Sequence, residues 1–209
     1  MKRVFEGATS LDLLEGPGWA WIGLHSTDGL HRLHSATLLA LDGLMAAQRF
    51  KGARRVALSA SGWMAGRGRH FSAGADLHEV AALTPMKADP FALRGQRVMR
   101  ALLWPGWRSL TLISGVAMGG GCDLALHGQE RWAVEGLRMA HPAAKHGILT
   151  GFGGTVRLPE LLGAEGAARL FAGLEHWNER DALEAGAVQR VLDPQAAGGA
   201  VRDWLRADP

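Results

Sequence analysis

The chain has 209 residues, 47% apolar and 21% charged, with 23 Lys and Arg against 20 Asp and Glu and a net charge of +3. That length fits one domain with a sizeable core, and the balance excludes a disordered or fibrous chain. Basic residues are scattered, without the arginine stripe or interleaved aromatics of a nucleic-acid binder, and a single cysteine excludes an internal disulfide.

The first residues, MKRVFEGATSLDLLEG, carry Lys2 and Arg3 but no long apolar run before Asp12 and Glu15, so they make a poor signal peptide. No stretch of about eighteen apolar residues is free of charge, so no membrane span is expected. The lone cysteine suits a reducing, cytoplasmic compartment.

The first expected element is a strand over 19–24 (WAWIGL), after Pro17-Gly18. Residues 35–50 place Leu38, Leu41, Met45 and Phe50 at helical spacing, and Gly52 closes that helix. A strand over 56–59 leads into a loop rich in Gly, Arg and Ser over 60–72. A helix starts near Asp76, and another covers 91–103 before Pro105. Residues 110–116 (LTLISGV) read as one core strand and 133–134 as a short one, with 138–141 extended nearby. Helical pieces follow over 155–162, 164–171 and 179–185, then an extended piece over 188–192 and a short helix over 200–207. Strands alternating with helices imply parallel-sheet units and an α/β class. With no repeat or internal linker in view, the expected organisation is a core domain over 1–192 and a short tail over 193–209.

Two glycine turns carry the chemistry. HFSAGADL (70–77) follows a strand and precedes a helix, so Gly74-Ala75-Asp76 forms a sharp turn at the carboxyl edge of the sheet. The first amides of the helix after it lack internal partners and can face a developing negative charge, as in an oxyanion hole. The alternative is an ordinary turn with Asp76 as helix cap. MGGGCDLAL (118–126) repeats the pattern of strand, glycine turn and helix. Two such turns on one edge suggest two donors facing one carbonyl. Neither is a dinucleotide fingerprint or a Walker A loop.

FSAGADL (71–77), GVAMGGGCDLAL (115–126), LRMAHPAAKHGILTGFGGTVRLPELLG (137–163) and ALEAGAVQRVL (182–192), in that order, resemble the crotonase, or enoyl-CoA hydratase/isomerase, family. The likeness runs from about residue 19 to residue 192. It implies a crotonase-like (ClpP/crotonase) α/β fold of repeated ββα units wound into a spiral. It also implies a trimer or dimer of trimers and an acyl-CoA thioester as substrate. Coenzyme A enters as part of that substrate, with no tightly bound cofactor. The family's two oxyanion amides match Ala75 and Gly120, with Gly74, Asp76 and Gly119 shaping the turns around the substrate.

Hydratases of this family move protons with two glutamates. The first position, directly after GGGC, is Asp123 here, one methylene shorter, and some family isomerases carry aspartate there. The second, after the proline of the third block, is Ala143, which can do no acid–base work. The leading expectation is an enoyl-CoA hydratase/isomerase-type enzyme acting through a stabilised enolate. Its alternatives are a malonyl-type acyl-CoA decarboxylase and a non-catalytic thioester-binding or assembly subunit.

His141, Lys145 and His146 surround Ala143, and His141 and His146 are candidate supporting groups. With 138–142 extended, His141 is expected to share neither the face nor the reach of Ala143. His127, one helical turn beyond Asp123, either orients that carboxylate or packs against the helix. No tight ligand cluster points to a metal. Cys122 reads as small core filling. The family counterpart of the turn over 151–155 lines the acyl pocket, so Phe152 either shapes that pocket or belongs to a purely structural turn. The tryptophans read mainly as core and interface anchors, with Trp104 and Trp107 as candidates to cover the acyl group. Arg54, Arg67 and Arg69 are candidates for the CoA phosphates. Family members carry further helices after the fourth block, whereas this sequence runs only to Pro209. The expectation is therefore a more open pocket, or one completed by a neighbouring subunit.

Overall fold

A computed structural model describes residues 1–173 and 176–207, and of His146 the backbone only. Among these residues the main sheet takes the order β1 (Lys2–Phe5), β2 (Ser10–Gly16), β3 (Trp19–His25), β4 (Arg55–Ala60), β5 (Arg108–Ile113), β7 (Glu130–Val134) and β9 (Arg190–Leu192). The first three pair antiparallel; from β3 onward every pairing is parallel. Every residue of β4 is buried. That is why RVALSA reads as an apolar run without alternation: helices cover both faces of such a strand.

A second layer of short extended segments carries the site. β6 (Val116–Met118) pairs parallel with β8 (Arg138–Ala140). Single bridges extend the layer from Leu33 to Ala75, from Ser72 to Ala117 and from Met139 to Trp177. Each chain turn thus supplies a main-sheet strand, a second-layer segment and a helix. This is a crotonase-like α/β fold of repeated ββα units. The helices are α1 (Ser35–Phe50), α2 (Leu77–Ala81), α3 (Pro85–Leu102), α4 (Gly120–Leu126), α5 (Gly154–Ala172), α6 (Glu179–Glu184) and α7 (Pro194–Arg206).

The strand expected over 110–116 divides in two. Gly115 turns the chain at φ +52, and a Cβ there would lie 2.7 Å from the Arg69 carbonyl oxygen. Only glycine lets the chain pass so close while crossing from β5 in the main sheet to β6 in the second layer. Both helical pieces expected over 155–171 fall within α5, which breaks at Gly163 (φ +70). The helix expected over 91–103 begins earlier, at Pro85, whose missing N–H costs nothing in a first turn.

Of the expected tail over 193–209, residues 193–206 instead form part of the packed domain. Asp193 caps α7 by accepting from the Gln195 amide at 2.7 Å, and Pro194 opens the helix. Val201, Trp204 and Leu205 are buried with Trp21, Trp63, Leu110 and Trp132 in one apolar cluster on that face of the sheet. The expected helix over 200–207 is the second half of α7; residues 208–209 lie outside the described residues.

His31 and His127 are both 5% exposed, and burial is the main cause lowering each imidazole below the ordinary value of 6.5. Both stay neutral in the fold while the unfolded chain takes up protons as pH falls through about 6.5. Stability is therefore fully present above that pH and declines below it, toward the lowered folded values. Urea unfolding should show a lower midpoint at pH 5.5 than at pH 7.5, with a smaller loss in the double variant H31N/H127Q. Equal losses in the two proteins would exclude these histidines as the source.

Candidate active site

The two glycine turns meet at a cavity of about 490 Å³. In the first turn, Gly74 (φ +92) donates its N–H to the Ser72 hydroxyl at 3.1 Å and accepts from the Leu33 amide at 2.8 Å. In the second, Gly119 (φ +51, ψ −122) donates to the Ala140 carbonyl at 3.0 Å and accepts from the Asp123 amide at 3.0 Å. These bonds pin the flanks of each turn and leave the next amides free. Among the described residues, neither the Ala75 N–H nor the Gly120 N–H meets an acceptor. Both residues line the cavity. A Cβ on Gly74 would sit 3.1 Å from the Gly120 nitrogen, and one on Gly120 would sit 3.4 Å from the Ala75 nitrogen. The turns thus touch, and their free donors are neighbours.

Asp123 lies beneath this wall. It is fully buried and is not part of the cavity lining. One carboxylate oxygen, Oδ1, is 3.2 Å from His141 Nε2, and Oδ2 accepts from the Thr150 hydroxyl. His141, Ala143 and Thr150 all line the cavity. The expectation that His141 lacks the reach of Ala143 does not hold. β8 ends at Ala140, and His141, at φ −122 and ψ 69, leaves the extended conformation and turns into the 3-10 segment Pro142–His146.

Residues 63–205 match the sequence profile of the enoyl-CoA hydratase/isomerase family, well over half of the chain. The chain belongs to that family. It is 35% identical over 127 residues to a crotonyl-CoA hydratase of Syntrophomonas wolfei, covering 61% of this chain and 49% of that protein. It is 32% identical over 126 residues to a short-chain-enoyl-CoA hydratase of Clostridium acetobutylicum, covering 60% and 48%. The matched stretch is thus about half the length of these curated relatives. Among solved structures it is similar to the enoyl-CoA hydratase of Thermoplasma volcanium, with a TM-score of 0.85, 26% identity and coverage of 95% of this chain and 78% of that one. It is likewise similar to Pseudomonas aeruginosa DspI, with a TM-score of 0.84, 29% identity and coverage of 93% and 72%.

Other candidates from the sequence fall both inside and outside this family member's cavity. Gly74, Gly119 and Phe152 line it. The Phe152 ring packs against Phe91 at 5.3 Å between centroids and covers Gly95 and Gly120, so close that a Cβ on either would meet it. Asp76 does not line the cavity: its carboxylate caps α2, accepting from the Glu79 amide at 2.9 Å, and that bond is the main cause lowering its pKa. Arg54, Arg67 and Arg69 are exposed and outside the lining. Trp104 and Trp107 do not cover the acyl space either. They pack edge to face at 5.2 Å, with the Arg49 guanidinium over both rings.

His127 takes the packing role. Its Nδ1 meets the Asp123 backbone carbonyl at 2.7 Å, one turn back along α4, and not the carboxylate. Lys145 is exposed, and the His146 side chain lies outside the described residues. Cys122 is buried, and burial holds its thiol well above the ordinary range, which makes it a poor nucleophile. Sequence reasoning missed two polar residues. Asp89, exposed on α3, lines the cavity mouth, and Thr150 reaches Asp123 from 27 positions away, a contact that no local spacing announces. Among the described residues, no group of three or more His, Cys, Asp and Glu is placed to hold a metal ion, and no helix is long and apolar enough to cross a membrane.

Proposed function

We propose that the protein is an acyl-CoA thioester enzyme of the hydratase/isomerase type, acting through an enolate held by two backbone donors. The observation that carries this is the pair of free amides, Ala75 and Gly120, side by side on the wall of an acyl-sized cavity. A thioester carbonyl oxygen placed between them accepts both hydrogen bonds. Both strengthen as negative charge builds on that oxygen, and a single donor of this kind is typically worth about 3 kcal/mol at the transition state. Leu77, Val80, Leu83 and Phe91 give the acyl chain apolar walls. The curated relatives are named as crotonyl-CoA and short-chain-enoyl-CoA hydratases, which favours a short enoyl chain as substrate.

The test is binding of butyryl-CoA against its thioether analogue, in which the carbonyl is reduced to CH₂. Loss of the two hydrogen bonds is expected to weaken binding by at least about tenfold. Equal affinities would remove the amide pair from the reading.

A further inference from the structure

We propose that His141, held by Asp123, is the group that moves protons in this cavity, and that its reaction is proton transfer beside the thioester carbonyl and not addition of water. This rests on the thioester reading above.

His141 lines the cavity with a side chain only 1% exposed, and its Nε2 lies 3.2 Å from Oδ1 of a fully buried carboxylate. A carboxylate only accepts, and the other Asp123 oxygen already accepts from the Thr150 hydroxyl. The hydrogen of the imidazole therefore sits on Nε2, and Nδ1 carries the lone pair. Among the described residues, that nitrogen is buried and has no hydrogen-bond partner. Buried polar atoms are nearly always paired, so an unpaired nitrogen on a residue that lines the cavity asks for a partner, and the reacting group of the substrate is the partner this proposal gives it. The groups packed around the ring leave it no other ionic partner among the described residues. Phe171 of α5 meets it edge to face at 4.9 Å between centroids, and the His127 ring is engaged with the α4 backbone. The carboxylate that does line the cavity, Asp89, stands exposed at the mouth.

The step balances without any co-reactant. Nδ1 takes a proton from the α-carbon of the acyl group. The C–H electron pair becomes the new carbon–carbon π bond, and the carbonyl π pair moves onto oxygen, facing the Ala75 and Gly120 amides. The imidazolium is balanced by Asp123. It then returns its proton, either to the α-carbon or, where the acyl chain carries a C3=C4 double bond, to C4, which moves the double bond to C2=C3. One side chain serves both transfers. Addition of water needs a second group to hold and activate the nucleophile: Ala143, beside His141 on the wall, offers only a methyl, and the Thr150 hydroxyl already donates to Asp123.

The test is deuterium uptake at the α-carbon of butyryl-CoA in D₂O, read by mass spectrometry beside conversion of but-3-enoyl-CoA to but-2-enoyl-CoA. Wild-type protein is expected to do both. H141A should lose at least about a hundredfold in rate with butyryl-CoA affinity kept within about threefold, and added imidazole should restore exchange in proportion to its concentration. If H141A does not fold, H141Q, closer in volume, should show the same loss. As Asp123 acts through His141, D123N should lower kcat at least about tenfold with KM unchanged. Undiminished exchange in H141A and H141Q overturns the proposal, as does exchange lost in D89N but kept in H141A. Wild-type protein that binds butyryl-CoA but catalyses neither reaction overturns this proposal alone. Failure to bind butyryl-CoA removes the thioester reading as well.

Discussion

Replacing Gly74 with alanine is expected to lower stability by about 2–5 kcal/mol, the sum of a left-handed backbone term and an overpacking term, and to abolish measurable butyryl-CoA binding. The residue sits at φ +92, and a Cβ on it would lie 2.4 Å from the Met118 carbonyl oxygen. That oxygen is backbone in β6, so the clash cannot be relieved by turning a side chain. The same Cβ would press 3.1 Å from the Gly120 nitrogen and 3.4 Å from that of Gly121, at the start of α4. Relief requires the two turns to separate, and their separation is what parts the paired donors. Gly52 supplies the comparison, at φ +73 with nothing within 4 Å of its ideal Cβ. G52A should show the backbone term alone, about 1–2 kcal/mol, with binding intact. Urea unfolding and calorimetric titration of both variants decide the matter. If G74A behaves like G52A, the contact between the turns does not position the amides.

That contact joins residues 44 positions apart or more, yet each half was legible, because glycine runs between an apolar strand and a helix leave a local mark. FSAGADL and GVAMGGGCDLAL show it plainly. The same mark misleads where glycine serves packing. Gly198 and Gly199 hid the first half of α7, although a Cβ on Gly198 would lie 2.7 Å from the Trp63 carbonyl oxygen. There glycine marks the close approach of a helix to the 3-10 segment Ser61–Ala65, not a loop. In 110–116 an unbroken apolar run concealed the crossing at Gly115, since both layers bury their strands. The start of α3 carries two prolines, residues that disfavour a helix interior: Pro85 opens the first turn, where its missing N–H costs nothing, while Pro90 lies inside the helix.

The polar half of the site was harder to read. Asp123 was visible as the family's first carboxylate position, but its burial depends on residues that approach from the turn after β8 and from the loop before α5. Whether an aspartate faces a cavity or lies behind it is decided by the groups that cover it. Here Thr150 and His141 occupy both its oxygens. The stem one methylene shorter than glutamate matches this placement: the carboxylate meets His141 and Thr150 behind the cavity wall, and in the proposed reaction it has no need to reach the substrate. Arginines and tryptophans near the motifs in sequence fall outside the cavity lining for the converse reason. Nearness along the chain does not orient a side chain, and Arg67 and Arg69 point their charge to solvent, as isolated charges do.

The carboxylate–imidazole arrangement leads to a second large effect, at a glycine the sequence marks only as part of a turn. Gly154 opens α5, outside the left-handed region, so alanine suits its backbone and is the better helix former. The main obstacle is Asp123: a Cβ at 154 would fall 1.9 Å from Oδ1 and 2.8 Å from Cγ, with Thr150 Cγ2 next at 3.2 Å. G154A is therefore expected to drive the carboxylate away from His141 and Thr150. Displacement on the scale of an ångström costs about a hundredfold in catalysis, and overpacking of this kind about 1–3 kcal/mol in stability. The proposed dyad makes the activity loss fall on kcat in the deuterium-exchange assay, with KM held. A double-mutant cycle isolates the cause. In D123A only the 3.2 Å approach to Thr150 Cγ2 remains, so adding G154A should cost little and return part of its helix preference. The coupling should then lie at the upper end of the roughly 0.5–3 kcal/mol found for residues in contact. Additive stabilities would mean that α5 yields instead, and that the position of Asp123 is not fixed by the glycine beside it.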